Sequence, residues 1–263
     1  GRLQPAQQAQ RDFYVSTKYE QEYSGSAHRM SAWTIDDNEE FDGDDALFPG
    51  GYDQIIRHLA KDLDIRTQHA VARVQSSNAG ITVTLADGSE MRAGQVLVTV
   101  PLGVLKARRV EFDPPLSPAK THAIDALGVG LLNKIWLRFD RVFWPAEFDW
   151  HEYLSSTKDQ WTEWVSLAKV KNTPVLLAFS AADFADKTEA QSDRDTIASV
   201  MAVARQMFGS AIPDPIASQI TRWRADPWAL GSYSFNAVGS SNADRAALAA
   251  TEMAHVHFAG EAT

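Results

Sequence analysis

The chain has 263 residues, of which 44% are hydrophobic and 10% aromatic, enough for a sizeable buried core in one or two domains. Its 34 acidic residues outnumber its 25 basic ones, and the formal net charge of −9 argues against non-specific binding to nucleic acid, which needs cationic side chains. The absence of cysteine excludes disulfides, thiolate catalysis and cysteine-bound metal clusters. No apolar run reaches the ~20 residues of a membrane helix. From the charge and the lack of such a run, we expect neither nucleic acid nor membrane as a partner.

The first half of the chain predicts one helix and several short strands. The acidic run at 36–45 is typical of a solvated loop. Apolar residues recur at helical spacing over 51–63, which predicts an amphipathic helix. The period changes to two at 81–85, and the turn Asp87-Gly88 with the return segment 90–92 completes a predicted hairpin. The apolar run at 95–100 predicts a strand buried on both faces.

The second half predicts further strands and one long helix. Strands are expected at 131–139 and 175–179, and the first of them contains a lysine. Ser192 begins a helix that Gly209 ends. This mixture of strands and helices indicates an α/β or mixed α+β fold. Because no linker separates the elements, any division into domains must interleave along the chain.

Several common chemistries are excluded by their missing motifs. His255 and His257 would share one face of a strand, but two ligands without a third do not make a metal site, so we expect none. There is no G-x-S-x-G turn for a serine nucleophile. The G-x-G at 128–130 lacks a third glycine and precedes a strand, so it is not the phosphate loop of a dinucleotide-binding fold.

Two features of the sequence indicate a functional site. Lys134 lies inside an apolar strand pattern, and lysine is rarely buried without a partner or a function. The alternatives are a lysine on an edge strand and a lysine whose long side chain extends to solvent. Trp223, Trp228 and Tyr233 lie within eleven residues of chain broken by proline and glycine. Aromatic rings on such loops can stack on a planar ligand or enclose a cation; the alternative is that they cap a core.

Four blocks of sequence carry a family resemblance. They are TVPLGVLK (99–106), LLNKIWLRFDRVFW (131–144), TRWRADPWALGSYSF (221–235) and FAGEAT (258–263). In this order they closely resemble the FAD-dependent amine oxidases, in particular the polyamine oxidases and lysine-specific histone demethylases. The resemblance runs from about residue 30 to the end. It implies a two-domain fold, with a mixed-sheet substrate domain formed by 1–39 and 131–241 and a partial FAD-binding domain formed by 40–130 and 242–263.

The resemblance also implies roles for four residues of the substrate domain. Lys134 matches the family lysine that holds a water against flavin N5. Trp223 and Trp228 match aromatic residues that pack along the flavin and border the substrate. Tyr233 matches one wall of an aromatic cage around the substrate. Lys134 is therefore the predicted catalytic residue, and the three aromatic residues are the predicted substrate-binding set.

On the cofactor side, the resemblance implies contacts to FAD. Val71 matches the residue whose backbone binds the adenine, and Glu261 matches the acidic residue that hydrogen-bonds the sugar or ribityl hydroxyls. Trp223 and Trp228 complete the predicted cofactor-binding set. Ala262 occupies a position where many relatives have histidine, so that one contact is not expected here.

Two segments that the family needs are missing from this sequence. One is an N-terminal G-x-G-x-x-G turn for the FAD pyrophosphate, and the other is the segment after GEAT that completes the cage. We therefore expect a fragment that is inactive alone, whose partners are the missing N- and C-terminal segments of the same protein and a small cationic amine.

The expected activity of the full-length protein is flavin-dependent oxidation of an amine C–N bond to an imine. O2 is the acceptor, H2O2 is released, and hydrolysis of the imine gives an aldehyde and an amine. The expected substrate is a polyamine. Two alternatives stay open: a histone lysine demethylase, and a non-catalytic domain that keeps the fold and binds a peptide or another partner.

Overall fold

Short helices and short strands alternate along the chain. A computed structural model describes residues 3–35, 43, 46–170 and 172–263. The acidic run at 36–45 lies outside these residues, apart from Gly43. The described helices are α1 (Pro5–Val15), α2 (Gln21–Tyr23), α3 (Asp53–Leu59), α4 (Leu102–Lys106), α5 (Pro118–Ala126), α6 (Ala182–Glu189), α7 (Asp193–Phe208) and α8 (Asn242–Ala249), with a π-helical turn (Ser16–Glu20) between α1 and α2.

The strands that the structure describes form two larger sheets and two small pairs. They are β1 (Val71–Ser77), β2 (Gly80–Leu85), β3 (Glu90–Ala93), β4 (Val96–Val98), β5 (Glu111–Asp113), β6 (Gly128–Val129), β7 (Leu132–Arg138), β8 (Trp150–Glu152), β9 (Glu163–Ser166), β10 (Val175–Ala181), β11 (Ala217–Ile220), β12 (Ser234–Phe235) and β13 (Val256–Phe258). One sheet has the order β3-β2-β1-β5 and the other β11-β7-β10-β9-β8, while β12 pairs with β6 and β13 with β4. The mixed helix-and-sheet architecture expected from the sequence is confirmed.

The five-stranded antiparallel sheet carries the larger apolar core on one face. Alternate residues of β7, such as Ile135 and Leu137, are almost fully buried on that face. Helix α7 packs there through Val200 and Met201. The helix forms where the sequence predicted it, since the Ser192 hydroxyl accepts a hydrogen bond from the Asp195 amide at 3.2 Å at its N-terminus. The candidate site lies on the opposite face of the sheet.

Two predicted elements differ from the structure. The helix expected over 51–63 is shorter, and its apolar residues Ile56 and Leu59 are 57% and 66% exposed. The strand expected at 95–100 is β4, which within the described residues pairs with β13 alone, and Leu97 is 59% exposed. The prediction of burial on both faces was therefore wrong for this strand. An apolar pattern shows that a face can be buried, but another layer must be present to cover it.

Within the described residues, buried apolar side chains form two separate clusters. One draws its members from 135–204 and lies between the five-stranded sheet and α7. The other draws its members from 74–127 and 248–262 and joins β1, β2, β4, α4, α5, α8 and β13. The interleaved domain boundaries at 39–40, 130–131 and 241–242 stay a prediction.

Two lysines close the ends of helices in the second cluster. Lys120 on α5 is fully buried, and its Nζ donates to the carbonyl oxygens of Ala247, Leu248 and Ala250 at the end of α8. Lys106 does the same at the end of α5, donating to three carbonyl oxygens at 2.7–2.9 Å. The last carbonyls of a helix have no partner within the helix, so a lysine ammonium can satisfy them. Sequence analysis did not identify either lysine.

Candidate active site

Lys134 lies on an interior strand of the five-stranded sheet, so the edge-strand alternative is wrong. On one side of the strand, the Lys134 amide donates a hydrogen bond to the Thr221 hydroxyl at 2.8 Å. On the other side, the strand pairs with β10. The side chain is half-buried on the face opposite the apolar core. Its Nζ lies 5.9 Å from the ring centroid of Phe179, the residue directly across on β10.

Two polar side chains hold the loop that carries the tryptophans. Buried Asn133, next to Lys134, accepts a hydrogen bond from the Trp223 amide at 3.2 Å and donates one to Glu189 at 2.7 Å. Glu189 in turn accepts from the Ala225 amide at 2.7 Å. Sequence analysis missed both residues. The available signal was a polar Asn133 within an otherwise apolar strand, because a buried amide needs partners.

The loop then turns sharply, as its proline and glycine residues predicted. The Asp226 carboxylate accepts from the Trp228 amide at 2.8 Å. Gly231 has a φ of +147°, a conformation that residues with a side chain rarely adopt. Gly103 on α4 lies directly beneath the loop, and a side chain there would collide with the carbonyl oxygen of Ala229. The loop is therefore packed against α4 and hydrogen-bonded to Asn133 and Glu189.

The two tryptophan rings are largely open. Trp223 is 40% exposed and Trp228 is 67% exposed. Rings that cap a core are covered by it, so this exposure does not support the core-capping alternative. The predicted packing of the two rings along a flavin stays a prediction.

Tyr233 connects the loop to the helical segment at the start of the chain. Its hydroxyl donates to the carbonyl oxygen of Gln21 at 2.7 Å, and its own carbonyl accepts from the Gly130 amide at 2.9 Å. The side chain is half-buried, and burial together with the nearby Glu22 carboxylate raises the pKa of the Tyr233 phenol well above its usual value. Tyr233 is thus a neutral hydrogen-bond donor. Its predicted place in an aromatic cage stays a prediction.

A cavity of about 550 Å³ opens between the helical segment and the open face of the sheet. The rings of Trp150 and Phe179 stack in its wall, with centroids 5.8 Å apart and planes 10° apart. Aromatic faces and carboxylates together attract organic cations. The cavity is lined by Tyr14, Thr17, Lys18, Tyr19, Gln21, Glu22, Tyr23, Leu132, Trp150, Glu163 and Phe179.

Glu261 lines a second, smaller cavity of about 170 Å³, which is formed by 98–102, Leu105, Ser232, Leu248 and 258–263. Its Oε1 accepts from the amide and hydroxyl of Ser234 at 3.0 and 2.8 Å. Its Oε2 accepts no hydrogen bond from any residue that the structure describes. The neighbouring Ala262 is buried and has no polar group to offer.

Val71 lies apart from these residues. It is the first residue of β1, it pairs with Leu85 in the four-stranded sheet, and it is 37% exposed. The structure therefore brings Lys134, Trp223 and Tyr233 together around β7 and links Glu261 to them through Ser234, but it does not add Val71 to that group. The adenine-binding role of Val71 stays a prediction.

The residues present fit a flavin. Such a group needs flat apolar faces for its rings and hydrogen-bond acceptors for its sugar hydroxyls. The open rings of Trp223 and Trp228 are suited to the first requirement. The unbonded Oε2 of Glu261, beside a cavity, is suited to the second.

The described part of the chain offers neither a cluster of metal ligands nor a membrane-spanning helix. No group of three or more histidine, aspartate or glutamate residues there could hold a metal ion. No described helix combines the length and the apolar character needed to cross a bilayer.

The family can be assigned by comparison with known proteins. The family model described as flavin containing amine oxidoreductase matches residues 2–263, so the chain belongs to the flavin-containing amine oxidoreductases. The resemblance found in the four sequence blocks is thereby confirmed.

Individual relatives come from two groups of this family. The chain is 39% identical over 218 residues to probable polyamine oxidase 4 of Arabidopsis thaliana, covering 82% of this chain and 44% of the relative. It is 37% identical over 240 residues to polyamine oxidase 4 of Oryza sativa subsp. japonica, covering 91% and 49%. It is also 35% identical over 241 residues to lysine-specific histone demethylase 1 homolog 3 of Oryza sativa subsp. indica, covering 89% and 30%.

Solved structures show the same fold. A putrescine oxidase bound to putrescine superposes with a TM-score of 0.68 at 21% identity, covering 80% of this chain and 47% of that chain. The amine-oxidase-like fold expected from the sequence is confirmed. The chain spans about half or less of the length of the curated relatives it matches.

Proposed function

We propose that this chain supplies the amine-binding cavity and part of the flavin site of an FAD-dependent polyamine oxidase. The reaction oxidises a C–N bond to an imine with O2 as acceptor and releases H2O2, and hydrolysis of the imine gives an aldehyde and an amine. Membership in the flavin-containing amine oxidoreductases supports the reaction class. Identities of 39% and 37% to two plant polyamine oxidases support a polyamine as substrate.

One structural observation carries the proposal. The aromatic cavity and the Lys134 side chain share the same wall, because Phe179 lines the cavity and also lies under the Lys134 ammonium. A cationic amine bound against Phe179 would therefore lie near the lysine that sequence analysis selected as catalytic.

The residues of this chain then have distinct roles in the proposed reaction. The aromatic walls and carboxylates attract the protonated amine. Transfer of the amine from solvent into the cavity removes water around it, which lowers the pKa of the amine and favours the neutral form that gives up a hydride. When bound, FAD supplies the acceptor for that hydride. The Nζ of Lys134 donates a hydrogen bond to a water, which positions that water for imine hydrolysis or proton handling.

A histone lysine demethylase is the second candidate. The 35% identity to lysine-specific histone demethylase 1 homolog 3 favours it. Methyl-lysine and a polyamine present the same chemistry at the oxidised C–N bond, so the two functions differ in what the rest of the substrate contacts. A non-catalytic partner-binding domain is the third candidate, and it would need no flavin.

The test uses the full-length protein that contains these 263 residues. We expect a flavin absorption spectrum and H2O2 production with spermine or spermidine. Activity confined to a methyl-lysine peptide would instead support the demethylase. A full-length protein without flavin would contradict both enzymatic functions.

A polypeptide limited to these 263 residues is expected to bind FAD weakly. Its sequence contains no G-x-G-x-x-G turn, so it has no such helix N-terminus for the pyrophosphate. The measurement is flavin absorbance retained after gel filtration, with the full-length protein as control. Stoichiometric flavin on the shorter polypeptide would show that the prediction is wrong.

Tyr233 tests the aromatic cage. In the full-length enzyme, Tyr233→Ala removes an aromatic face worth about 2 kcal/mol to a desolvated cation, so kcat/KM for an amine should fall roughly 30-fold. Tyr233→Phe keeps the face and loses the hydroxyl bond to Gln21, which should cost at most about 5-fold. Equal losses in both variants would assign the effect to hydrogen bonding. No loss in either would place Tyr233 outside the substrate site.

A further inference from the structure

Four side chains line up across the open face of the five-stranded sheet. Lys134 on β7 lies opposite Phe179 on β10. Ala178 lies opposite Trp164, and continuing that register by one residue places Phe179 beside Glu163 on β9. Glu163 lies opposite Glu152 on β8. Because neighbouring strands are about 4.8 Å apart, Glu163 is on the order of 10 Å from Lys134 along this row.

The Glu163 carboxylate is not bonded to any partner within the described part of the chain. It makes no hydrogen bond or ion pair with any residue that the structure describes, although the side chain is partly buried. Directly opposite it is a second carboxylate, that of Glu152, an arrangement that destabilises an antiparallel pair. The charged groups that face it are Glu152 and Glu22, which are repulsive, and Lys18, which is attractive but not in contact.

The space in front of Glu163 is built for a cation. Glu163 lines the 550 Å³ cavity together with the stacked rings of Trp150 and Phe179. The aromatic pair and the unpaired carboxylate are independent observations, and both favour a positive group. At the other end of the row is Lys134, whose own charge would repel a second cation placed there.

Taking the proposed amine oxidation as given, we propose that Glu163 binds the ammonium group of the substrate that is remote from the oxidised C–N bond. Glu163 would then be a specificity-determining residue, which favours amines with a second cationic nitrogen several methylenes away. A monoamine has no group to reach it. The residue does not take part in the reaction itself, so its effect should lie in KM rather than in kcat.

The test compares a triamine with a monoamine on the flavin-loaded full-length enzyme. Glu163→Gln should lower kcat/KM for spermidine roughly 10-fold, through KM, and leave butylamine unchanged. Glu163→Asp keeps the charge and should lose less. Glu90→Gln is the matched control, because Glu90 is an exposed strand residue outside the cavity. Equal losses for both amines, or a loss confined to kcat, would overturn the inference.

The pH dependence of spermidine affinity gives a second test of the Glu163 site. Burial, reinforced by Glu152 and Glu22, raises the pKa of Glu163 to about 7. The carboxylate is therefore protonated below pH 7 and charged above it, so spermidine affinity should rise between pH 6 and 8 in the wild type and stay flat in Glu163→Gln. Identical pH profiles in the two proteins would contradict the proposal.

Equilibrium binding separates this inference from the proposed function. Calorimetry with spermidine and butylamine measures binding whether or not turnover occurs. Spermidine binding that depends on Glu163, in a protein that oxidises no amine, would refute the oxidase while supporting the site. Oxidation of spermidine, with unchanged spermidine binding in Glu163→Gln, would support the oxidase and refute the proposed role of Glu163.

Discussion

Replacing Lys134 with methionine in the full-length enzyme is expected to lower turnover with O2 by about 100-fold or more while flavin stays bound. Methionine keeps the approximate volume and the apolar stem but removes the ammonium. The strand should be unaffected, because β7 is held by main-chain bonds to its two neighbours and by the hydroxyl of Thr221. What is lost is the donor that positions a water.

The measurements are peroxide-coupled turnover, flavin absorbance and the melting temperature. Lys187→Met is the control, since Lys187 is exposed on α6. Unchanged turnover in Lys134→Met would show that Lys134 is not catalytic. A large drop in melting temperature would instead assign Lys134 a structural role.

Replacing Lys120 with methionine is expected to lower the free energy of unfolding by about 3 kcal/mol. The variant leaves the carbonyl oxygens of Ala247, Leu248 and Ala250 without the donor that the fully buried Lys120 supplies. It also removes the ammonium that lies 4.0 Å from the Phe258 ring centroid. Burial lowers the pKa of Lys120 to about 8, so the ammonium is still charged at neutral pH.

Urea unfolding at pH 7 measures this loss. The exposed Lys187→Met again serves as control and should change the unfolding free energy by less than about 0.5 kcal/mol. If the two variants unfold alike, Lys120 does not hold α5 and α8 together.

Much of the local structure could be predicted from periodicity and turn residues. The hairpin around Asp87-Gly88, strands β7 and β10, and helix α7 between Ser192 and Gly209 all occur where the pattern placed them. These features depend on neighbours in the chain, because period and capping are local properties. The sharp loop at 226–231 was predictable for the same reason.

The candidate site was only partly predictable. Lys134 and the aromatic loop were selected because a charge in an apolar strand and aromatic residues beside proline and glycine are local anomalies. Asn133, Glu189 and Glu163 were missed. Asn133 carried a local signal, a polar side chain in an apolar strand, whereas Glu189 and Glu163 are ordinary polar residues in their own segments. The importance of all three depends on contacts with residues far away in the sequence.

By itself the sequence determined the fold class, the positions of most strands and helices, the family, and the lysine and aromatic residues around which the site forms. The tertiary structure decided which apolar faces are covered, so that Ile56 and Leu97 are exposed. It also decided that, among the residues that the structure describes, Lys120 is fully buried, whereas Lys134 is half-buried at an open face of the sheet. Burial and the pairing of charges depend on which distant segments pack together, and no local pattern records that packing.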